Sequence, residues 1–367
     1  MISSGAANDD ATDERWEFTN LHAIDMRRED DTEIARELIG QMETIGFLVL
    51  TQVPGYEEEV YLDACKALHE LPASVKHDMF LQKDEPTHSN VYRGYQPFKP
   101  NDASHKEFFD QGFPVGPMDA QEAALPLYED TPFPDAQELQ WIKESFCKTQ
   151  QAWFAAALRV LRLLALGLGK PAAFFDPWFE GATLTTLRTI HYAPRASGLV
   201  DSSQLGPEDL RLTTPEHADS GILTLLATFG YPGLQVYIDG EYRSVAPIRD
   251  TLVVNLGDLF ARLTNYRLKA TFHRVLDIGT ERFSSPMFLE PKYSAAIPRG
   301  LMDSNRTSVD QDLPHDAPLF GDWLMRRMMA SYAEWQGFVV PGGRKPFVEA
   351  IELADFANSI PGHDTSW

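Results

Sequence analysis

Apolar positions recur at helical spacing in three segments of the first half of the chain. Thr32 to Thr44 places Ile34, Leu38, Ile39 and Met42 on one face, and Gly46 closes it. Tyr56 to His69 repeats the pattern and stops before Leu71-Pro72. Asp135 to Leu168 predicts a long helix, with Trp141, Phe146 and Trp153, then Phe154, Leu158, Leu161 and Ala165, ending at Gly167 and Gly169. Between the first two helices, Gly46 to Leu50 is a short β-type run. From about Leu184 the pattern changes to short Thr-, Val-, Leu- and aromatic-rich runs separated by Gly, Pro and Asp turns. Seven strands are expected there, at Leu184–Tyr192, Ile222–Thr228, Leu234–Ile238, Tyr242–Val245, Thr251–Asn255, Thr271–Leu276 and Phe283–Phe288. Leu319 to Trp335 is again helical. Such spacing predicts a sandwich or barrel rather than βαβ units.

Composition narrows the partners. The 367 residues carry 54 acidic and 32 basic side chains, for a net charge of −22. That balance disfavours nucleic acid and anionic membrane surfaces, which need a basic face. Two cysteines, Cys65 and Cys147, exclude a disulfide scaffold and a multi-cysteine zinc site. The polar, acidic opening has no signal-peptide or transit-peptide pattern, and a cytoplasmic monomer acting on a small molecule is the expectation. The longest apolar run, Ala155 to Leu168, is interrupted by Arg159 and Arg162 and is too short to cross a bilayer.

Candidate chemistry begins at His217-Ala218-Asp219. On a strand, residues i and i+2 share a face, so this imidazole and carboxylate can converge on one ion. The motif alone is weak, because composition gives roughly 1.5 His-x-Asp/Glu matches by chance. A second match, His105-Lys106-Glu107, reads as a solvated polar stretch. Context favours the first, which a turn and the strand beginning at Ile222 follow, with His273 on a later strand as a third ligand. Two histidines and one carboxylate leave room on an octahedral ion for oxygen and an organic chelate, the facial arrangement of non-haem iron(II). A three-ligand catalytic zinc competes with it. Nine positions after His273, Arg282 and Ser284 share a strand face and suit a carboxylate. A hairpin turning at Gly279-Thr280 would set this clamp on the strand beside a metal ligand.

These residues, together with Gly221-x-Leu223-Thr224-Leu225-Leu226, Gly233-Leu234-Gln235-Val236, Val245-x-Pro247, Val253-Val254-Asn255-x-Gly257-Asp258, Thr264-Asn265 and His273-Arg274-Val275, resemble the isopenicillin N synthase-like family of Fe(II)/2-oxoglutarate-dependent dioxygenases. Weaker similarity at Gly46-Phe47, Leu71-Pro72 with Lys76, Arg93-Gly94-Tyr95, Lys106 to Asp110 and Leu166-Gly167-Leu168 extends it over about residues 18–340.

The resemblance implies an all-β core, a distorted double-stranded β-helix or jelly roll, with flanking N-terminal and C-terminal helices. It divides one structural domain into an acidic disordered tail (1–14), an N-terminal segment (15–180), a catalytic core (181–300) and a helical extension (301–367). It implies iron(II) on His217, Asp219 and His273, and 2-oxoglutarate on Arg282, Ser284 and Tyr192. Dioxygen would be the oxidant, succinate and CO2 the co-products, and ascorbate a stimulant. Arg93 and Tyr95 fall where family members line the substrate pocket, and Arg93 would anchor an anionic substrate against the global charge. Two departures stand out: Ile190 replaces a frequent Asn, and Gln52-Val53-Pro54-Gly55 replaces an Asn-His-Gly turn. The polar insert Gly198 to Thr214 is read as a lid or a surface loop. Rival readings are an oxidase of the same family that uses no 2-oxoglutarate, and an inactive binding protein on the same scaffold.

Overall fold

Asp30 starts the first helix: its carboxylate accepts the backbone N–H groups of Thr32 and Glu33, which no helical carbonyl can satisfy. The computed structural model describes residues 18–99, 104–113, 127–195, 211–298, 301 and 319–331. Helix α1 (Asp31–Thr44), α2 (Glu58–His69) and the long α4 (Gln140–Gly167) match the helical periodicity. A short α3 (Ala73–His77) follows Pro72, which takes the N-cap position. Helix α4 buries Phe146, Trp153, Val160, Leu161 and Leu164 among the aromatic and aliphatic faces of α1 and α2.

The strands form two sheets. Five pair in the order β1 (Phe18–Thr19), β10 (Glu241–Val245), β9 (Leu234–Ile238), β12 (His273–Leu276) and β7 (Leu212–His217). Eight pair in the order β2 (Ala23–Asp25), β3 (Phe47–Thr51), β11 (Thr251–Leu256), β8 (Leu223–Ala227), β13 (Arg282–Leu289), β6 (Thr186–Tyr192), β5 (Lys106–Gly112) and β4 (Gly94–Gln96). Most neighbours are antiparallel.

Period-2 alternation gives the larger sheet two apolar faces. Phe47, Val49 and Val253 point toward the smaller sheet and meet Leu234 and Val236. Leu48, Leu50, Leu252, Val254, Leu225, Phe283 and Met287 point the other way and join the helices in the main core. This explains why β11 is apolar throughout rather than alternating: it is buried on both sides. Segments on either side of residue 180 share this sheet, since β3 pairs with β11 and β5 with β6. The expected tail lies outside the described residues, as does the 301–367 extension apart from Leu301 and the residues around α6 (Phe320–Ser331). Both cysteines are free. No helix among the described residues is long and apolar enough to cross a membrane.

Two strands depart from the expected pattern. Lys106-Glu107 is not a solvated stretch: it opens β5, and Glu107 is only 3% exposed. Strand β7 occupies the end of what reads as a polar insert, and residues 196–210 lie outside the described part.

Candidate metal centre

Strands β7 and β12 are antiparallel neighbours with His217 and His273 as register partners. Their ring centroids lie 4.2 Å apart. Asp219 is not on the same strand as His217, as the i, i+2 expectation required. Strand β7 ends at His217, and Asp219 sits in the loop beyond it. That loop is fixed by backbone bonds instead. The N–H groups of Gly257, Asp258 and Leu259, where β11 passes into helix α5 (Asp258–Leu263), donate to the carbonyls of Ile222, Asp219 and Ser220.

The side chains are equally constrained. His217 Nδ1 and His273 Nδ1 lie 2.9 and 3.1 Å from the carbonyls of Pro215 and Thr271, so each carries its proton there and presents a bare Nε2. Those Nε2 atoms stand 3.6 and 3.7 Å from Asp219 Oδ1. Asp219 Oδ2 is already taken, accepting from Thr224 Oγ1 at 2.5 Å and Asn255 Nδ2 at 2.8 Å. Burial works against ionisation of Asp219, yet the His217 and His273 partners and Asn255 hold its carboxyl well below the usual range. Burial and the neighbouring His217 push His273 down to about 4, leaving its lone pair available at neutral pH. Two unprotonated nitrogens and one carboxylate oxygen, all within 4.8 Å, fit a divalent ion with further positions open. The donors that fix the two rings and the carboxylate are the outer support such a site needs.

Gly257 is essential to this geometry. A Cβ there would collide with the backbone of Gly221, two residues after Asp219. Gly257→Ala is therefore expected to shift the loop, lowering Tm and weakening divalent metal binding about 10- to 100-fold, as measured by Co(II) titration.

The candidate carboxylate clamp lies on the opposite sheet. Strand β12 pairs with β7 and β9, whereas β13 pairs with β6 and β8, so the two do not form the expected hairpin. Arg282 is register partner to Tyr192, and its guanidinium carbon lies 3.5 Å from the centroid of that ring. Arg282 also donates to Thr213 Oγ1 at 2.9 Å, on the strand that ends at His217. Ser284, two residues on, shares the face and is buried. Lys106 Nζ donates to the Thr213 carbonyl and to Thr214 Oγ1. Burial opposes ionisation of the Tyr192 phenol, but the charges of Arg282 and Lys106 hold it below its ordinary value. Ile190 takes part in a small apolar cluster with Phe108 and Tyr192. Lys106 is hidden because Lys106-Glu107 masks the alternation of β5, and Thr213 and Thr214 because they lie on the polar edge strand β7.

Arg93 and Tyr95 do not join this group. Tyr95 pairs with Phe109 in the β4–β5 ladder, which turns it to the helix side of the sheet, where its hydroxyl donates to Glu107. Arg93 is 1% exposed. Its guanidinium donates to Thr186 Oγ1 and to the Leu184 carbonyl, and it stacks on Tyr92 at 4.0 Å. It braces the start of β6. Arg93→Ala is expected to cost roughly 2–4 kcal/mol of stability in a thermal or urea melt, because a buried acceptor set is left unpaired.

A sequence model of the 2OG-Fe(II) oxygenase superfamily matches residues 188–291, which include all three candidate ligands, Arg282 and Ser284. Over that segment the chain is similar to that superfamily. It is 39% identical over 140 residues to a "2-oxoglutarate-Fe(II) type oxidoreductase" of Aspergillus fumigatus, a match covering 37% of this chain and 39% of the relative. The matched stretch thus spans about two fifths of that relative's length. Isopenicillin N synthase of Streptomyces clavuligerus is 26% identical over 303 residues, 81% of this chain and 89% of the relative. A full-length Neurospora crassa protein, crystallised in complex with alpha-KG, superposes with a TM-score of 0.66 at 24% identity, over 84% of this chain and 95% of that one. The 2OG-Fe(II) oxygenases share this architecture, and the two facing sheets are the jelly roll of that superfamily.

Proposed function

We propose that the protein is a non-haem iron(II) oxygenase that couples oxidation of a small molecule to conversion of 2-oxoglutarate into succinate and CO2. The observation that carries this reading is the conjunction of an oriented His217–Asp219–His273 group with a buried arginine on the facing sheet. Iron(II) bound there supplies the activation of dioxygen and an anchoring point for the keto acid. The protein does the rest. Pro215 and Thr271 hold the two imidazoles in the ligating tautomer, and Thr224 and Asn255 keep Asp219 ionised and aimed. Arg282, Ser284 and Tyr192 take the far carboxylate of 2-oxoglutarate, with Lys106 adding positive charge nearby. Arg282 and Lys106 thereby offset the chain's net charge of −22 at the one place where a dianion must bind.

A second reading is favoured by the isopenicillin N synthase match, which covers most of both chains. In that case Arg282 and Ser284 would grip the substrate's own carboxylate, and oxygen would be consumed without 2-oxoglutarate. The substrate is sought by mass spectrometry of small-molecule extracts incubated with Fe(II), ascorbate and 2-oxoglutarate. The reading predicts a metabolite that gains one oxygen or loses two hydrogens only when 2-oxoglutarate is present. Product formed equally well without it would favour the oxidase.

A further inference from the structure

The reverse face of the clamp strands carries a second cluster of titratable groups. Period-2 alternation puts Arg282, Ser284, Tyr192 and Lys106 on the inner face and Phe283, His191 and Glu107 directly behind them, with His191 facing Phe283 on one side and Glu107 on the other in the ladders. The His191 ring lies nearly parallel to Phe283, 4.7 Å away at 14°. Phe283 is the residue between Arg282 and Ser284.

His191 is held by two carboxylates. Nδ1 is 2.8 Å from Glu107 Oε1, which is buried, and Nε2 is 2.9 Å from Glu281 Oε1, which is exposed and precedes Arg282. The other groups around it lie on three further elements and the loop after β4. His69 on α2 reaches Glu107 Oε1 at 3.2 Å, Lys76 on α3 reaches Oε2 at 3.3 Å, Tyr95 on β4 donates to Oε2, and Phe98 presents its ring edge at 5.8 Å. Three donors of a metal set converge here, but Lys76 and Tyr95 occupy the second carboxylate oxygen and the imidazole contacts have hydrogen-bond lengths. The cluster is a charge network rather than a cation site.

We infer that His191 is a positioning residue for the Arg282–Ser284 clamp, and that its protonation couples pH to binding of 2-oxoglutarate. The inference rests on the clamp assignment proposed above. The doubly protonated imidazolium donates to Glu107 and Glu281 together, tying β5 to the start of β13 behind the clamp. Neutral imidazole has one N–H, so one carboxylate then faces a lone pair and that tie is lost. Burial alone would lower the pKa of His191, but hydrogen bonds and charge from Glu107 and Glu281 outweigh it and raise it. Burial lowers the pKa of His69, by contrast. A raised folded-state pKa fixes the sign: the brace is complete below the ordinary histidine pKa and is lost as pH rises through the raised value.

The test is calorimetric titration of 2-oxoglutarate into anaerobic, Fe(II)-loaded protein between about pH 6 and 8.5, where the ligand's carboxylates keep their charge. In wild type, Kd should rise about 5-fold across this range. His191→Phe keeps the stack on Phe283 and removes both N–H groups. It should bind at least as weakly as wild type at high pH and show no pH dependence. Glu281→Gln alters an exposed side chain and should move the midpoint to lower pH. A purely structural role would weaken binding equally at every pH. The inference is overturned if His191→Phe retains the wild-type profile or if Glu281→Gln leaves the midpoint in place. If Arg282→Ala also binds like wild type, the clamp assignment itself fails, which separates the two outcomes.

Discussion

His217→Ala, Asp219→Ala and His273→Ala each reduce turnover to background while the fold persists. All three side chains sit where β7, β12 and the loop after β7 meet, oriented by backbone carbonyls and by Thr224 and Asn255, with the edge contact of His273 on Phe47 as their one ring packing against the core among the described residues. Their removal therefore costs metal affinity more than stability. Loss of an outer support costs about 10- to 100-fold in affinity, and loss of a ligand should cost more. Asp219→Glu fails as well, because the longer chain moves the carboxylate off both nitrogens while Thr224 and Asn255 stay in place. Fe(II) or Co(II) titration with a parallel thermal melt separates metal loss from unfolding. His105→Ala, altering a residue in the turn ahead of β5, serves as the control and keeps wild-type activity. A His273→Ala variant that binds iron and turns over normally would end the assignment.

The second large effect belongs to Arg282. A bidentate, charge-assisted contact in a buried site contributes on the order of 2–4 kcal/mol, so Arg282→Ala should weaken 2-oxoglutarate binding by roughly 30- to 1000-fold. Arg282→Lys retains charge but loses the planar fork and the stacking over Tyr192 at 3.5 Å, and should fall between the two. Iron binding should be unchanged in both variants, because neither residue touches the three ligands. Calorimetric titration of 2-oxoglutarate and a separate metal titration measure the two effects independently. Wild-type affinity in Arg282→Ala would remove the clamp.

What the sequence reveals and what it hides follow from the range of each signal. The helices and most of the core strands are legible because their burial is one-sided or continuous over five or more residues, as in α1 and β11. The three candidate metal ligands and Arg282 lie in short motifs whose order the family resemblance supplies. Strand β7 is hidden because it is the edge of the five-stranded sheet. Its sequence Leu-Thr-Thr-Pro-Glu-His is largely polar and includes a proline that an edge position tolerates. Strand β5 is hidden because the charges that suggest solvent, Lys106 and Glu107, are taken up on opposite faces of a buried strand. Arg93 is misleading because its aromatic neighbours suggest a pocket, whereas the β4–β5 register and the Thr186 and Leu184 acceptors determine where it goes. No local pattern encodes that register.

The measurement that tests the central claim most directly is the stoichiometry of oxygen and 2-oxoglutarate consumption by the Fe(II)-loaded protein. The account predicts one succinate released per O2 consumed, dependence on added 2-oxoglutarate, and loss of both signals in Asp219→Ala. Oxygen consumption that proceeds at the same rate without 2-oxoglutarate, or with no succinate formed, would contradict it.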